Sequence, residues 1–377
     1  MPSVTSLTTA WSILTELDTR PLRELVQAPF PVAIISREQA DRQWLADVLR
    51  TDPFTHDLTP LSPQTSLYSL PLEKNDRLRA AQARLVFFPI ATGRQDVGLE
   101  EQAIAELLKL NAHLPIVVVQ IRPGAANEFY TPMLNVWMGA REIVVDPEEE
   151  EPFSAELVPA LRRLAPEQEI QLGYHFPALR PALARQLIRQ TSMTNATYSA
   201  ATGLTEIVPA LLVPGNVADF VVLTKNQALM AYKIALLMGN DIGMQEMIAE
   251  LAGVLGGGFL WRETARRLVG FIPGWGIIPK VAVAYAGTYI IGEATYYWYA
   301  YHEQMTAEQM RVIYAKAVAE GKQKAVEILE KMKRSQGEKP RRGLSFPKPR
   351  LRRKKQPDSE LASIDVDESL DAPARDA

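Results

Sequence analysis

Cysteine is absent from the 377-residue chain, and so is any apolar run long enough to be an obvious membrane span. The lack of cysteine excludes a disulfide framework, a thiolate nucleophile and a Cys-ligated zinc site. Basic and acidic residues nearly balance, at 41 and 44, which argues against nucleic-acid binding by the protein as a whole. The apolar content of 47% is ordinary for a folded protein and too low for a polytopic membrane protein.

The N-terminal segment 1–26 lacks the features of a secretory signal. Charged residues at Asp18, Arg20, Arg23 and Glu24 interrupt its apolar stretch, and no basic segment precedes a continuous apolar one. We therefore expect a cytoplasmic protein.

Motifs of catalysis and metal binding are also missing. No GxSxG nucleophile elbow occurs, and no histidine has a carboxylate or a second histidine at metal-ligand spacing. The four histidines are interpreted as surface or capping residues: His56, His113, His175 and His302. The sequence thus predicts no catalytic residue, no metal and no cofactor.

Short apolar runs alternate with helical periods from Pro31 to about residue 191. Four runs of strand length occur at 32–36, 84–90, 115–121 and 141–146. Helical patterns occur at 37–50, 99–110, 128–139 and 154–164, and a further one at 175–191 leaves the domain. Continuous apolar strands between helices are typical of an α/β domain with a mostly parallel sheet.

The order of strands and helices in 31–191 looks like that of a small GTPase. The first strand, VAIIS, is followed by REQADRQW, which has neither the glycines nor the Lys of a phosphate-binding loop. The Asp-x-x-Gly and Asn-Lys-x-Asp motifs are missing too, and Arg122 and Asn127 are the nearest substitutes for ligand contacts. We predict a degenerate GTPase-like domain, although a flavodoxin-like sheet of other ancestry fits the same pattern.

An all-α unit is predicted at 194–334, after an N-terminal arm at 1–30 and the α/β domain. Strand patterns cease near residue 194, and 306–334 forms an amphipathic helix. Residues 335–377 are predicted to be a disordered tail, basic first and then acidic. Nine basic residues make up its candidate membrane-surface or polyanion contact: Lys339, Arg341, Arg342, Lys348, Arg350, Arg352, Arg353, Lys354 and Lys355.

The segment 268–301 permits two interpretations. Lys280 separates two uncharged runs of twelve residues, 268–279 and 281–292, and neither would span a bilayer by itself. Small residues at GxxxG spacing and the aromatic end TYYWYAY suit a membrane-associated helical hairpin. The same residues suit the core of a Gly-rich helical bundle, and 207–223 is similarly ambiguous.

The stretch IVPALLVPGNVADFVVLTKNQALMAYKIALLMGNDIG, followed by FIPGWGIIPKVAVAYAGTYIIGEATYYWY, resembles the YcjF-type domain of unknown function of bacterial proteins. The resemblance covers about 194–303. It implies a domain often associated with Era-like GTPases and with membranes, and it supplies no catalytic residue. The motif falls on Pro214, Gly215, Asp219, Gln227, Met230, Gly239, Pro273, Gly274, Gly276, Gly292 and Tyr296.

Three functions fit these observations. The leading hypothesis is a non-enzymatic scaffold or adaptor at the cytoplasmic face of the membrane, with a pseudo-GTPase domain and a YcjF-like helical unit. Its partners would be the membrane surface or bilayer and a protein such as a GTPase, with nucleic acid less favoured. The alternatives are an atypical nucleotide-binding switch of the GTPase family and a homo-oligomeric assembly protein.

Overall fold

The computed structural model of the protein describes residues 17–91, 94, 96–122, 137, 139–147, 152–164, 168–205, 215–254 and 277–337. The strands within these ranges are β1 (Val32–Ser36), β2 (Thr65–Ser69), β3 (Leu85–Ala91), β4 (Ile116–Ile121) and β5 (Arg141–Val145). The helices of the sheet region are α1 (Arg20–Gln27), α2 (Gln39–Arg50), α3 (Lys74–Ala81), α4 (Gly98–Leu110) and α5 (Pro152–Leu164). The later helices are α6 (Glu169–His175), α7 (Arg180–Thr205), α8 (Gly215–Leu237), α9 (Met244–Val254), α10 (Ile277–Tyr301) and α11 (Ala307–Gly337), with a 3₁₀ turn at Pro177–Leu179.

The five strands form one parallel sheet in the order β2-β1-β3-β4-β5. The predicted mostly parallel α/β sheet is therefore confirmed. This strand order is the flavodoxin-like order of doubly wound sheets. Helices α2, α3 and α4 form the crossovers from β1 to β2, from β2 to β3 and from β3 to β4, as parallel strands require, because each crossover must pass over a face of the sheet.

Both faces of the sheet are covered, which explains why β1, β3 and β4 are nearly continuous apolar runs. One face presents Ile35, Phe88 and Val118 to a buried cluster that includes residues of α3 and α4. The opposite face presents Ile34 and Phe87 to a second buried cluster, which includes residues of α2 and α5.

This second cluster continues without a break into the later helices. It joins Ile34 of the sheet to Leu183 of α7, Met230 of α8 and Tyr299 of α10. Residues Met1–Lys333 accordingly belong to one structural unit, and Arg334–Ala377 to another. The domain boundary placed at 191–194 from the sequence lies inside the continuous helix α7.

Helix α10 contains most of the ambiguous segment 268–301. It packs against α7 and α8, and fifteen of its 25 residues are buried in the protein. Among helices of the described ranges, none combines the length and the apolarity needed to cross a bilayer. The structure thus gives residues 277–301 the environment of a helical-bundle core, while 268–276 lie outside the described residues.

His175 lies where the sheet region meets the later helices. Its ring stacks on Phe30, with centroids 5.8 Å apart, and meets the Tyr174 ring edge-on at 5.2 Å. Its Nε2 atom is buried without a hydrogen-bond partner. Burial lowers the pKa of His175. The sequence predicts a surface or capping residue at this position; the histidine is half-buried and is the last residue of α6.

We expect the free energy of unfolding to fall as the pH drops below about 6.5, the pKa of an unperturbed histidine. The pKa of His175 is lower in the folded state, so the unfolded chain binds the proton first as the pH falls. Proton binding then stabilises the unfolded state relative to the folded state by up to about 1.4 kcal/mol per pH unit. Urea unfolding at pH 7.5, 6.5 and 5.5 measures the slope. His175→Phe should flatten it and the exposed control His113→Gln should not; equal slopes in all three proteins would contradict the assignment to His175.

Candidate functional site

The carboxyl ends of β1 and β3 are the place where a sheet of this order binds ligands. In doubly wound sheets of the order 2-1-3-4-5, ligands occupy the crevice between these two strands, because their crossovers leave on opposite faces. Here β1 and β3 are hydrogen-bonded neighbours, and Arg37 and Glu38 form the whole connection from β1 to α2. Of the loop after β3, the structure describes Arg94, Asp96 and Val97.

Glu100, in the first turn of α4, is the centre of this site and is fully buried. Its carboxylate accepts a hydrogen bond of 2.7 Å from Nη2 of Arg37 and one of 3.5 Å from Nη1 of Arg94. The same arginines reach outward to Asp96, at 3.1 Å, and to Glu38, at 3.2 Å. We call these five residues the switch-point network.

Each of the three carboxylates in the network accepts a hydrogen bond from Arg37 or Arg94, while the buried Nε of Arg37 has no hydrogen-bond partner. Hydrogen bonds to Glu100 and Asp96 raise the pKa of Arg37, and the hydrogen bond from Arg37 lowers the pKa of Asp96. Charge-assisted pairs of this kind are among the stronger hydrogen bonds in proteins. The negative carboxylate of Glu100 also lies at the N-terminus of α4, where the helix dipole favours an anion.

Two further groups line the same edge of the sheet. Arg42 donates to the backbone carbonyls of Ser36 and Arg37, and thereby holds the short loop in place. Asp41 lies 3.5 Å from the Ser36 hydroxyl, and burial raises the pKa of its carboxyl.

This arrangement is poorly suited to nucleotide chemistry. A connection of two residues cannot wrap phosphate oxygens with backbone N–H groups, as a phosphate-binding loop does. Arg37 and Arg94 already hold carboxylates, and Glu38, Asp96 and Glu100 would repel phosphate. Arg122, proposed as a substitute ligand, follows β4 and donates its backbone N–H to Val145 at 2.8 Å, and Asn127 lies outside the described residues.

A second polar cluster is buried where α7, α8 and α10 meet. The hydroxyl of Thr288 accepts hydrogen bonds from Asn195, at 2.8 Å, and from Gln227, at 3.2 Å. Asn226 in turn donates to Asn195 at 2.7 Å. Gln227 is one of the motif residues, so its role in this structure is to join α8 to α10.

Other motif residues lie at the same helix junction or at helix ends. Met230 and Ile188 pack over Gly292, where a Cβ atom would lie 2.7 Å from Cγ1 of Ile188. Gly239 follows α8 with a φ of +92°, a conformation that glycine adopts at little cost. Tyr296 packs against Phe54, and Gly215 is the first residue of α8.

The remaining predicted site residues fall outside the described residues. These are the side chain of Asp219, together with Pro214, Pro273, Gly274, Gly276 and the nine basic residues between Lys339 and Lys355.

Comparison with protein-family models, curated proteins and solved structures finds no match to this chain. The resemblance to YcjF-type domains therefore stays a prediction, and the function must be argued from the two clusters themselves.

Thr288→Val should lower the free energy of unfolding by about 2 kcal/mol, because it leaves the amides of Asn195 and Gln227 as buried donors without an acceptor. Thr295→Val is a close control: Thr295 is equally buried in α10 and likewise donates to the carbonyl four residues earlier, but it accepts no side-chain hydrogen bond from the described residues. We expect it to cost less than about 1 kcal/mol. Equal losses by urea unfolding would show that the amide contacts contribute nothing.

Sequence reasoning missed the switch-point network altogether. Glu100 reads as an ordinary acidic residue in the first turn of a helix, and Arg37 and Arg94 are far apart in the chain. These residues come together only because β1 and β3 are neighbours in the sheet, and local sequence patterns do not predict the order of the strands.

Proposed function

We propose that the protein is a non-enzymatic scaffold or adaptor, in which the α/β region no longer acts as a nucleotide switch. The observation that carries this proposal is the burial of Glu100 between Arg37 and Arg94 at the carboxyl ends of β1 and β3. A ligand that entered this crevice would have to displace a desolvated carboxylate from two cations. A region that is filled by its own side chains is better suited to holding a shape than to exchanging a ligand.

Because the strand order is flavodoxin-like, the pseudo-GTPase interpretation enters this proposal only as the absence of nucleotide switching, with the atypical nucleotide-binding switch as its competitor. We expect no saturable binding of a fluorescent guanine nucleotide with Mg²⁺ to the full chain. A dissociation constant tighter than about 10 μM, or roughly −7 kcal/mol, would overturn the scaffold proposal in favour of the switch. Arg122→Ala is the matched variant, because a nucleotide site beside β4 would lose affinity when this cation is removed.

Attachment to a membrane surface is the second part of the proposal, and the basic residues between Lys339 and Lys355 support it. Each basic residue close to an anionic lipid surface contributes about 1 kcal/mol. Because α10 is buried among protein side chains, we assign this attachment to the basic residues and not to an inserted hairpin.

Co-sedimentation with phosphatidylserine-containing vesicles tests the attachment. The full chain should bind at low salt, be released at high salt and fail to bind uncharged phosphatidylcholine vesicles. A variant with all nine basic residues changed to Gln should lose binding. Unchanged binding by that variant would reject the assignment, and preferential binding of single-stranded RNA by the full chain would favour nucleic acid.

A further inference from the structure

The strand β2 lies at one end of the sheet, with β1 as its only strand neighbour among the described residues. Val32 donates to the carbonyl of Gln64, and Leu70 donates to the carbonyl of Ser36. Backbone groups of a strand alternate in direction, so the even-numbered residues of β2 face β1 and the odd-numbered ones face outward. Within the described ranges, the outward groups of Leu67 and Ser69 thus have no strand to pair with.

The two edges of the sheet differ in charge. The other edge strand, β5, begins with Arg141 and Glu142, and charged residues are a common protection of edges against pairing. The segment from Gln64 to Leu70, QTSLYSL, carries no charge at all. Leu67 at its centre is 39% exposed, and Ser69 is exposed as well. Within the described residues, this edge therefore lacks the protection that charged side chains give.

We propose that β2 pairs with β2 of a second copy of this chain, in antiparallel register about a two-fold axis through Leu67. In that register Leu67 faces Leu67 and exchanges both backbone hydrogen bonds with it, while the Ser69 N–H of each copy reaches the Thr65 carbonyl of the other. The Thr65 N–H already donates to the carbonyl of Ser62, so it needs no partner in the second copy. Two five-stranded sheets become one continuous sheet.

A second copy suits this edge better than an unrelated peptide because the strand is compatible with itself. A two-fold axis places each residue opposite its own symmetry mate, so any charge near the centre of the strand would meet its like. The strand avoids that repulsion by having no charge. Helix α3, which follows β2, carries the basic residues Lys74, Arg77 and Arg79 and the acidic Asp76, with the exposed Leu78 among them. Pairing through β2 is independent of the proposed scaffold function, and it involves a different surface from the small residues at GxxxG spacing.

The absence of cysteine makes a direct test possible. In a Leu67→Cys variant of the full chain, only residue 67 can cross-link. Directly opposed residues in a hydrogen-bonded antiparallel pair have Cα atoms about 5.5 Å apart, within the range of a disulfide. We expect cross-linking under mild oxidation to be at least about tenfold faster than for Leu110→Cys, because only position 67 is held near its mate. Leu110 is a matched control, 50% exposed and distant in sequence from β2. Equal rates would overturn the proposal.

A charge exchange gives an independent measurement by light scattering after gel filtration. The unmodified chain should be a dimer, Leu67→Lys and Leu67→Glu should each be monomers, and their equimolar mixture should form dimers again. Circular dichroism shows that each variant is folded, and recovery in the mixture excludes a folding defect as the cause of dissociation. An unmodified chain that stays monomeric at about 100 μM would overturn the proposal, because the dissociation constant of its dimer would then lie above that concentration. The proposal would also be overturned if both variants remained dimers, or if their mixture stayed monomeric.

Discussion

Arg37→Met is expected to lower the free energy of unfolding by about 3 kcal/mol, because it leaves the fully buried carboxylate of Glu100 without its shorter ion pair. Arg94 remains, but its contact with Glu100 is 3.5 Å, and its guanidinium also serves Glu38. A buried charge that loses a partner keeps its desolvation cost and loses the attraction that offsets it.

The double variant Arg37→Met with Glu100→Leu should recover most of that loss. Replacing a buried ion pair by apolar groups of similar size is often close to neutral, whereas breaking one side of it is not. Arg20→Met is the control, since Arg20 pairs with Asp18 at 2.9 Å on the open surface, where solvent screens the charges and the pair contributes little to stability. Urea unfolding measures all four proteins. If Arg37→Met costs no more than Arg20→Met, the switch-point network does not stabilise the crevice.

Gly321→Val is expected to destabilise the protein by a similar amount, about 3 kcal/mol, by pushing α11 away from α10. A Cβ atom at position 321 would lie 2.9 Å from the carbonyl oxygen of Ala282 and 3.0 Å from its Cα. These are backbone atoms of a packed helix, so no side chain can rotate to make room. The helix itself would have to move, and the hydrogen bond of 2.8 Å from Tyr285 to Glu320 would be disturbed with it.

Gly203→Ala should have the opposite effect and serves as the control for Gly321. The nearest atoms to a Cβ at position 203 lie at 3.6 Å, which is ordinary contact, and alanine is favoured over glycine inside a helix by about 1 kcal/mol. The midpoints of thermal unfolding of the two variants, compared with that of the unmodified chain, test both expectations. A stabilising effect at both positions would mean that α11 is not closely packed on α10.

The apolar strands were predictable because both of their faces are buried. The runs at 32–36, 84–90, 115–121 and 141–146 correspond to β1, β3, β4 and β5 within one or two residues. The strand β2, TSLYS, was missed because it lies at an edge and keeps Leu67 and Ser69 exposed. An edge strand needs no continuous apolar run, so a search for such runs finds central strands and misses edge strands.

The order of the strands was beyond the reach of local patterns. An alternation of strands and helices is compatible with several doubly wound sheets, including the GTPase-like and flavodoxin-like ones. Nothing in VAIIS or LVFFPIA says which of them is a neighbour of TSLYS. The switch-point network depends on that order, so its residues could not have been grouped from the sequence.

The environment of α10 was undetermined for a different reason. A helix that is apolar all round is buried either in lipid or in a protein core, and its composition alone does not separate the two. Polar contacts decide it here. Thr288 accepts amides from α7 and α8, and Trp298 and Tyr299 both donate to Glu250 of α9, at 2.8 and 3.1 Å. Those partners lie on three different helices and are spread from Asn195 to Glu250 in the chain.

The late position of α10 in the chain sets an order of events during synthesis. Helices α7 and α8 leave the ribosome before the residues that bury them, since about a hundred residues separate Thr205 from Tyr301. At about 5–20 residues per second, the interval is roughly 5–20 s. All five strands precede Arg180 and can pair in that time. Until α10 has been synthesised, Asn195 and Gln227 lack the Thr288 hydroxyl that accepts their amides in the folded protein.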